Sequence, residues 1–212
     1  MDKGIRNTVI VVCALMVLFV SGFIWKIGQP RALSKQEMAT NGLVIFDNPR
    51  EILPFKLENH RTEDFTEDDF LGKWTMIFPG FTHCPDICPT TLSTLSKMYD
   101  FLDNKPRADL QVMMLSVDPN RDTPDKLALY VPFFNEDFVG VTGDLKVISN
   151  LSAQLSIAVD YSYLSSRDES YNVDHSGNVI LINPEGHYQG FFRPPFDPTL
   201  MKLNYQSAWI QH

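Results

Sequence analysis

Apolar positions divide the chain into one long uninterrupted run near the amino terminus and a longer stretch in which short buried-strand patterns alternate with helix-spaced ones. From Asn7 to Trp25 about 19 residues carry no charge. At about 1.5 Å per residue, a helix over them spans roughly 28 Å, close to the hydrocarbon thickness of a bilayer. A membrane-spanning helix is expected there. A cleavable signal has a shorter apolar core followed by small residues, whereas Phe23, Ile24 and Trp25 follow here. Lys3 and Arg6 ahead of the run balance Lys26 and Arg31 behind it, so the positive-inside rule gives no strong vote. The short leader and the long segment behind it favour an amino terminus in the cytoplasm. No Arg- and Ser-rich amphipathic leader precedes the run. The expectation is a single-pass protein of a bacterial inner membrane with its carboxyl-terminal domain in the periplasm.

Beyond the anchor (residues 1–26), positions 27–50 mix breakers with a few apolar residues and read as a stalk, leaving 51–212 as the folded domain. Between Leu53 and Trp74 the pattern gives a short strand, a turn at Asn59 holding His60, a second short strand and an acidic turn. Trp74 to Phe78 is a buried strand. Pro79, Gly80 and Pro85 force a loop, and from about Cys88 a helix presents Leu92, Leu95, Tyr99 and Leu102 on one face. Leu110 to Val117 is a nearly continuous apolar run, as in a strand buried on both faces of a parallel sheet. Thr123-Pro124-Asp125 opens a helix to about Phe134, with Leu127, Tyr130, Val131 and Phe134 inward. Val139 to Thr142 is a strand, and Asp144 caps a helix facing inward with Ile148, Leu151 and Leu155. Ile157 to Leu164 and a polar loop, Ser165 to Asp174, deliver His175. A hairpin follows over Val179 to Ile182 and Tyr188 to Phe192, then a helix from Asp197-Pro198 with Leu200, Leu203 and Trp209 inward. Hairpin, βαβαβα, hairpin, helix is the order of a thioredoxin-like three-layer α/β/α sandwich.

Composition narrows the functions open to this fold. A net charge of -8 over 212 residues lacks the clustered Lys and Arg that neutralise phosphates, which excludes nucleic acid as a partner. Of the 3 cysteines, Cys13 lies in the membrane run as a small apolar filler, so only Cys84 and Cys88 can act together. They sit where a strand hands over to a helix, where free backbone N–H groups and the helix dipole stabilise a thiolate. A structural disulfide would close a loop of about five residues and contribute only roughly 2 kcal/mol. Two functional readings share the same sulfurs. In one they bind a soft metal with a third ligand, for which His175 is the candidate at the junction of the polar loop and the following strand. Two thiolates and an imidazole suit three-coordinate Cu(I), and with rearrangement Cu(II), while leaving no fourth ligand for closed tetrahedral zinc. In the other, Cys84 and Cys88 are catalytic and cycle between dithiol and disulfide, with C-x-x-x-C in place of the usual C-x-x-C. A thiol peroxidase would place a threonine three residues before the reactive cysteine; Thr82 is two before Cys84. His83 and Asp86 read as a surface residue and a helix-terminal acid.

The string GFTHCPDICPTTL, the loop SVDPNRDTP and VDHSG before a hairpin, in that order, resemble the Sco/SenC family of membrane-anchored, thioredoxin-fold copper proteins that help assemble cytochrome c oxidase. The resemblance runs from about Leu53 to the carboxyl end. It implies that Cys84, Cys88 and His175 are copper ligands, and that the domain delivers copper to, or reduces the cysteines of, the binuclear copper A site of cytochrome c oxidase subunit II. Other copper chaperones or a thioredoxin-like reductant are the further partners implied. Pro79 stands where related sequences carry a strand former, which predicts a disturbed end to the central strand.

Overall fold

The computed structural model describes residues 3–27, 32–160 and 171–212. Residues 1–32 and 33–212 are separate units. The first holds helix α1 (Lys3–Ile27), whose Lys3–Ile24 stretch is long and apolar enough to cross a membrane.

The second unit is built on an eight-stranded mixed sheet, in spatial order β1-β8-β7-β4-β5-β6-β2-β3. Its strands are β1 (Leu43–Arg50), β2 (Lys56–Asn59), β3 (Asp64–Thr66), β4 (Trp74–Gly80), β5 (Leu110–Ser116), β6 (Val139–Thr142), β7 (Val179–Ile182) and β8 (Tyr188–Phe192). Alternation across the pleat sorts the middle strands between two cores. Trp74, Met76 and Phe78 of β4, Val112 and Met114 of β5, and Val179 and Leu181 of β7 join one core, whereas Ile77, Met113, Leu115, Ile180 and Ile182 join the other. Helices α3 (Ile87–Asp100), α5 (Pro124–Tyr130) and α7 (Pro198–Gln211) close the first core, through Leu92, Leu95, Leu127, Met201 and Tyr205. Helix α6 (Leu145–Gln154) and the β2–β3 hairpin close the second, through Ile148, Leu151, Leu57 and Phe65. This is the three-layer, thioredoxin-like sandwich expected from the pattern.

Strand register matters most for function. Parallel β4 and β5 pair from Trp74↔Leu110 to Gly80↔Ser116, so their carboxyl ends are flush. Antiparallel β7 pairs Ile77 with Ile180, so its amino end lies at the same edge. The segments carrying Cys84, residues 118–122 and His175 therefore emerge together. Pro79 does not break β4, which runs on to Gly80. The Gly80 carbonyl accepts from Val117 N–H on the β5 side at 2.9 Å, so Pro79 faces β7, where pairing has stopped at Ile77 and no ladder donor is required.

Three expectations need correction, and one short helix was not expected. Positions 35–50 are folded, not stalk. Ser34 and Glu37 form a capping box that opens α2 (Lys35–Thr40), Met38 and Leu43 are buried, and β1 pairs with β8. The short helix α4 (Asn104–Ala108), before β5, was hidden by its central Pro106. Helix α5 stops at Tyr130, ahead of Pro132, rather than at Phe134. Helix α7 buries Met201, Asn204, Tyr205 and Ala208, leaving Leu200 and Leu203 about 40% exposed. Three of its inward residues bond across to other segments: Asn204 donates to the Asn41 carbonyl at 3.1 Å, though its own Oδ1 has no hydrogen-bond partner among the described residues, Tyr205 donates to the Pro106 carbonyl at 2.8 Å, and Ser207 accepts from Leu33 N–H at 3.0 Å. The expected run 157–164 and loop 165–174 lie partly outside the described residues; within them, Val159 makes one bridge to His175.

Gly190 of β8 holds β1 against the sheet, because a Cβ there would lie 2.0 Å from the Val44 carbonyl oxygen. Backbone cannot yield as a side chain does. Gly190→Ala is expected to lower unfolding free energy by about 3 kcal/mol, read as a fall in the urea midpoint; an unchanged midpoint would show that β1 is not integral to the fold.

Candidate metal centre

Both cysteines are free thiols placed by the turn from β4 into α3. Cys84 precedes the helix and is half-exposed; Cys88 lies in its first turn and is fully buried. The Cys88 backbone N–H donates to Cys84 Sγ at 3.3 Å, so this sulfur takes one of the unpaired donors of the helix start, as its position in the sequence led one to expect. Asp86 is the N-cap residue but makes no side-chain cap bond, which leaves the cap to the sulfur. Burial, and then the interaction with Cys84, push the Cys88 thiol well above its ordinary value, with the Phe81 backbone bond opposing. Gly80 makes room for this sulfur: a Cβ there would sit 3.3 Å from Cys88 Sγ and 2.8 Å from the Phe78 ring.

His175 stands on the other side of the same cleft, of about 740 Å³, whose walls include Cys84, Ile87, Thr91, His175 and Phe196. Its ring rests edge-on against Phe81 at 5.9 Å and Phe78 at 6.3 Å. Nδ1 lies 3.0 Å from the Ser176 carbonyl, which can only accept, so Nδ1 carries the proton and Nε2 keeps its lone pair. Burial lowers its affinity for a second proton, and the Ser176 bond and Asp174 work against this. Among the described residues no three of His, Cys, Asp and Glu stand close enough together to hold a metal ion. The structure thus brings Cys84 and His175 to one cleft, with the buried Cys88 bonded through its N–H to Cys84 Sγ, but does not close the three into a ligand set. His83 is exposed, with Nδ1 3.1 Å from its neighbour Thr82, and takes no part in the cleft wall.

The donor chemistry nevertheless fits a soft cation: two sulfurs beside a helix start, and an imidazole whose distal nitrogen is fixed by a carbonyl.

What the spacing of residues did not reveal is the 118–122 turn that joins the two walls. Asp122, buried, accepts from Thr82 N–H at 3.0 Å, Thr82 Oγ1 at 2.6 Å and Ser116 Oγ at 2.7 Å, tying down the segment two residues before Cys84. Burial raises its proton affinity, and those three donors oppose that. Asp118, also buried, pairs with Arg121 and accepts from Tyr171 Oη at 2.7 Å; Arg121 also donates to the Tyr171 carbonyl at 3.0 Å and stacks 3.7 Å over its ring. Burial, with the Asp118 bond and charge, pushes the Tyr171 phenol up to about 12. The loop that delivers His175 is thereby held to the same turn. These residues were in view as the string SVDPNRDTP, but their partners lie 40 and 53 positions away along the chain.

A thioredoxin-type sheet with two thiols and an imidazole at one edge defines a protein that handles thiols or soft metals. The SCO1/SenC family pattern matches residues 47–208, and the chain belongs to that family. It is 33% identical over 153 residues to a Stutzerimonas stutzeri protein named for copper binding, covering 72% of this chain and 74% of that one. It is 38% identical over 141 residues to the Homo sapiens protein SCO1 homolog, mitochondrial, covering 66% of this chain and 46% of that one. The chain thus spans about half the length of this human relative. Among solved structures it resembles the crystal structure of Arabidopsis thaliana ScoI with copper bound, at a TM-score of 0.68 and 30% identity over 76% of this chain and 98% of that one.

Removing the Asp122 carboxylate leaves the Thr82 and Ser116 donors without their acceptor. Asp122→Ala is expected to cost about 3 kcal/mol in urea unfolding, and a loss under about 1 kcal/mol would remove Asp122 as the tie between the walls.

Proposed function

We infer that this chain is a membrane-anchored copper protein of cytochrome c oxidase assembly. Copper is held by Cys84, Cys88 and His175 and passed to the binuclear copper A site of subunit II. The observation that supports the reading is one cleft lined by both Cys84 and His175, with the buried Cys88 donating its backbone N–H to Cys84 Sγ. Membership of the SCO1/SenC family and the copper-bound relative support it. Binding draws the three donors together, and each ligand is then replaced in turn by one from the recipient. Helix α1 is read as a single pass through a bacterial inner membrane, with the 33–212 unit in the periplasm.

The asymmetry of the sulfurs favours a second reading, a thiol–disulfide reductase. Cys84 is the accessible sulfur and Cys88 the buried one beside it. A Cys84 thiolate would attack a partner disulfide, forming a mixed disulfide and releasing one partner thiolate. Cys88 would then attack Cys84 Sγ, releasing the second partner thiol and leaving a Cys84–Cys88 disulfide.

Anaerobic copper titration of the full chain in detergent separates the two. The copper reading expects one copper per chain, lost in Cys84→Ser and in Cys88→Ser. In His175→Ala affinity falls by about 100-fold or more, since outer partners alone are worth about 10–100-fold. Absence of tight binding would sink it. Copper binding untouched by His175→Ala, together with loss of peptide-disulfide reduction in Cys88→Ser, would establish the reductase instead.

A further inference from the structure

Helix α7 holds the point at which the chain enters the second unit. Leu33, the first residue of that unit, donates its N–H to Ser207 Oγ at 3.0 Å, and its carbonyl accepts from Gln211 Nε2 at 2.8 Å. From Ile27, the last residue of α1, the chain has about six residues to Leu33, a reach of at most about 20 Å. The carboxyl half of α7 is therefore tethered within that distance of the end of the apolar run.

The outward side of this helix is apolar where a solvent-facing helix would carry charge. Met201, Asn204, Tyr205, Ser207 and Ala208 are buried, while Leu200, Leu203 and Ile210 are 40%, 39% and 42% exposed. Their spacing, one turn and then two, puts these three on one stripe. The helix sequence, PTLMKLNYQSAWIQ, holds no acid and a single cation, Lys202, in a chain of net charge -8. The acids beside it are turned to its own donors: Asp197 accepts from Leu200 N–H at 2.8 Å, Asp103 from Gln206 Nε2 at 2.8 Å and Asp109 from Trp209 Nε1 at 2.9 Å. An apolar stripe with a cation and no acid matches the headgroup layer of an anionic bilayer.

We propose that the outward face of α7 rests on the surface of the bilayer that α1 crosses, with Leu200, Leu203 and Ile210 in the interfacial layer and Lys202 reaching lipid phosphates. This rests on the reading of α1 as a membrane span and not on copper. Phe196, just ahead of the α7 cap residue Asp197, lines the cleft with Cys84 and His175. A domain resting on α7 holds that wall of the cleft at the level of the bilayer, where a recipient carried by the same membrane meets it from the side.

The test uses the metal-free full chain in nanodiscs of phosphatidylcholine and phosphatidylglycerol, a single chain per disc, with a nitroxide near the top of a fraction of the acyl chains. The methyl resonances of Leu200, Leu203 and Ile210 are expected to lose most of their intensity, as do those of Leu15 and Leu18 in α1. Leu53, 64% exposed and bonded to Gln154 of α6 on the other face of the sheet, keeps its intensity. In the double variant Leu203→Glu, Ile210→Glu, which melts with the parent, the Leu200 methyls recover. Loss at α1 without loss at α7 overturns the proposal and leaves the anchor standing, as does equal loss at Leu53. Undiminished α1 signals defeat the anchor reading and the proposal with it. Methyls of α7 shielded from a soluble gadolinium chelate yet untouched by the lipid label would show that protein covers the face, which also overturns the proposal.

Discussion

The flush register of β4 and β5, with β7 running against them, is the constraint on which the candidate centre depends. Parallel pairing from Trp74↔Leu110 to Gly80↔Ser116 fixes where both strands stop. The antiparallel match of Ile77 with Ile180 fixes where β7 begins. A slip of one residue would turn Phe78 out of one core and Ile77 out of the other, so burial on both faces enforces the register. Three segments far apart in sequence are therefore delivered to a single edge, the place where open α/β sheets offer their clefts.

Much of this was legible in the sequence, and what was not failed for identifiable reasons. The middle strands announce themselves because two-sided burial makes continuous apolar runs, and α3 and α6 because one apolar face repeats at helical spacing. The 35–50 segment looked like a stalk because Asp47, Asn48 and Pro49 crowd the end of β1, although the Ser34–Glu37 capping box was there to be read. Helix α7 misled because its buried face includes Asn204 and Ser207. Apolar counting favours Leu200 and Leu203, and only the distant acceptor at Asn41 and donor at Leu33 show why polar residues face inward. The cysteine pair was readable from local chemistry alone. Asp122 and Tyr171 were not, since a side-chain bond across 40 or 53 positions leaves no local spacing to detect.

The turn at 118–122 serves two loops through two different kinds of bond. Toward the thiol loop it offers a carboxylate that accepts three neutral donors; toward the histidine loop it offers a buried ion pair completed by a phenol and a carbonyl. Charged groups so far from water are tolerated only when their bonding is filled, and a half-satisfied network costs more than an apolar one. The two walls of the cleft are thus set by groups that the fold cannot easily release.

The candidate ligands are held more loosely than their supports. His175 is steadied by ring edges and one carbonyl bond, and Cys84 by a single backbone N–H, whereas Cys88 is enclosed on all sides. On the copper reading proposed above, that gradient would order the exchange: a partner would reach Cys84 and His175 from outside, and Cys88 would be the last donor surrendered. A centre built for permanent retention would bury all its donors alike, and one built for pure thiol exchange would have no use for an imidazole with a free nitrogen. Rigid mounts with unequally exposed candidate ligands are what the proposed copper transfer requires, since a soft cation would then be held and yielded in steps.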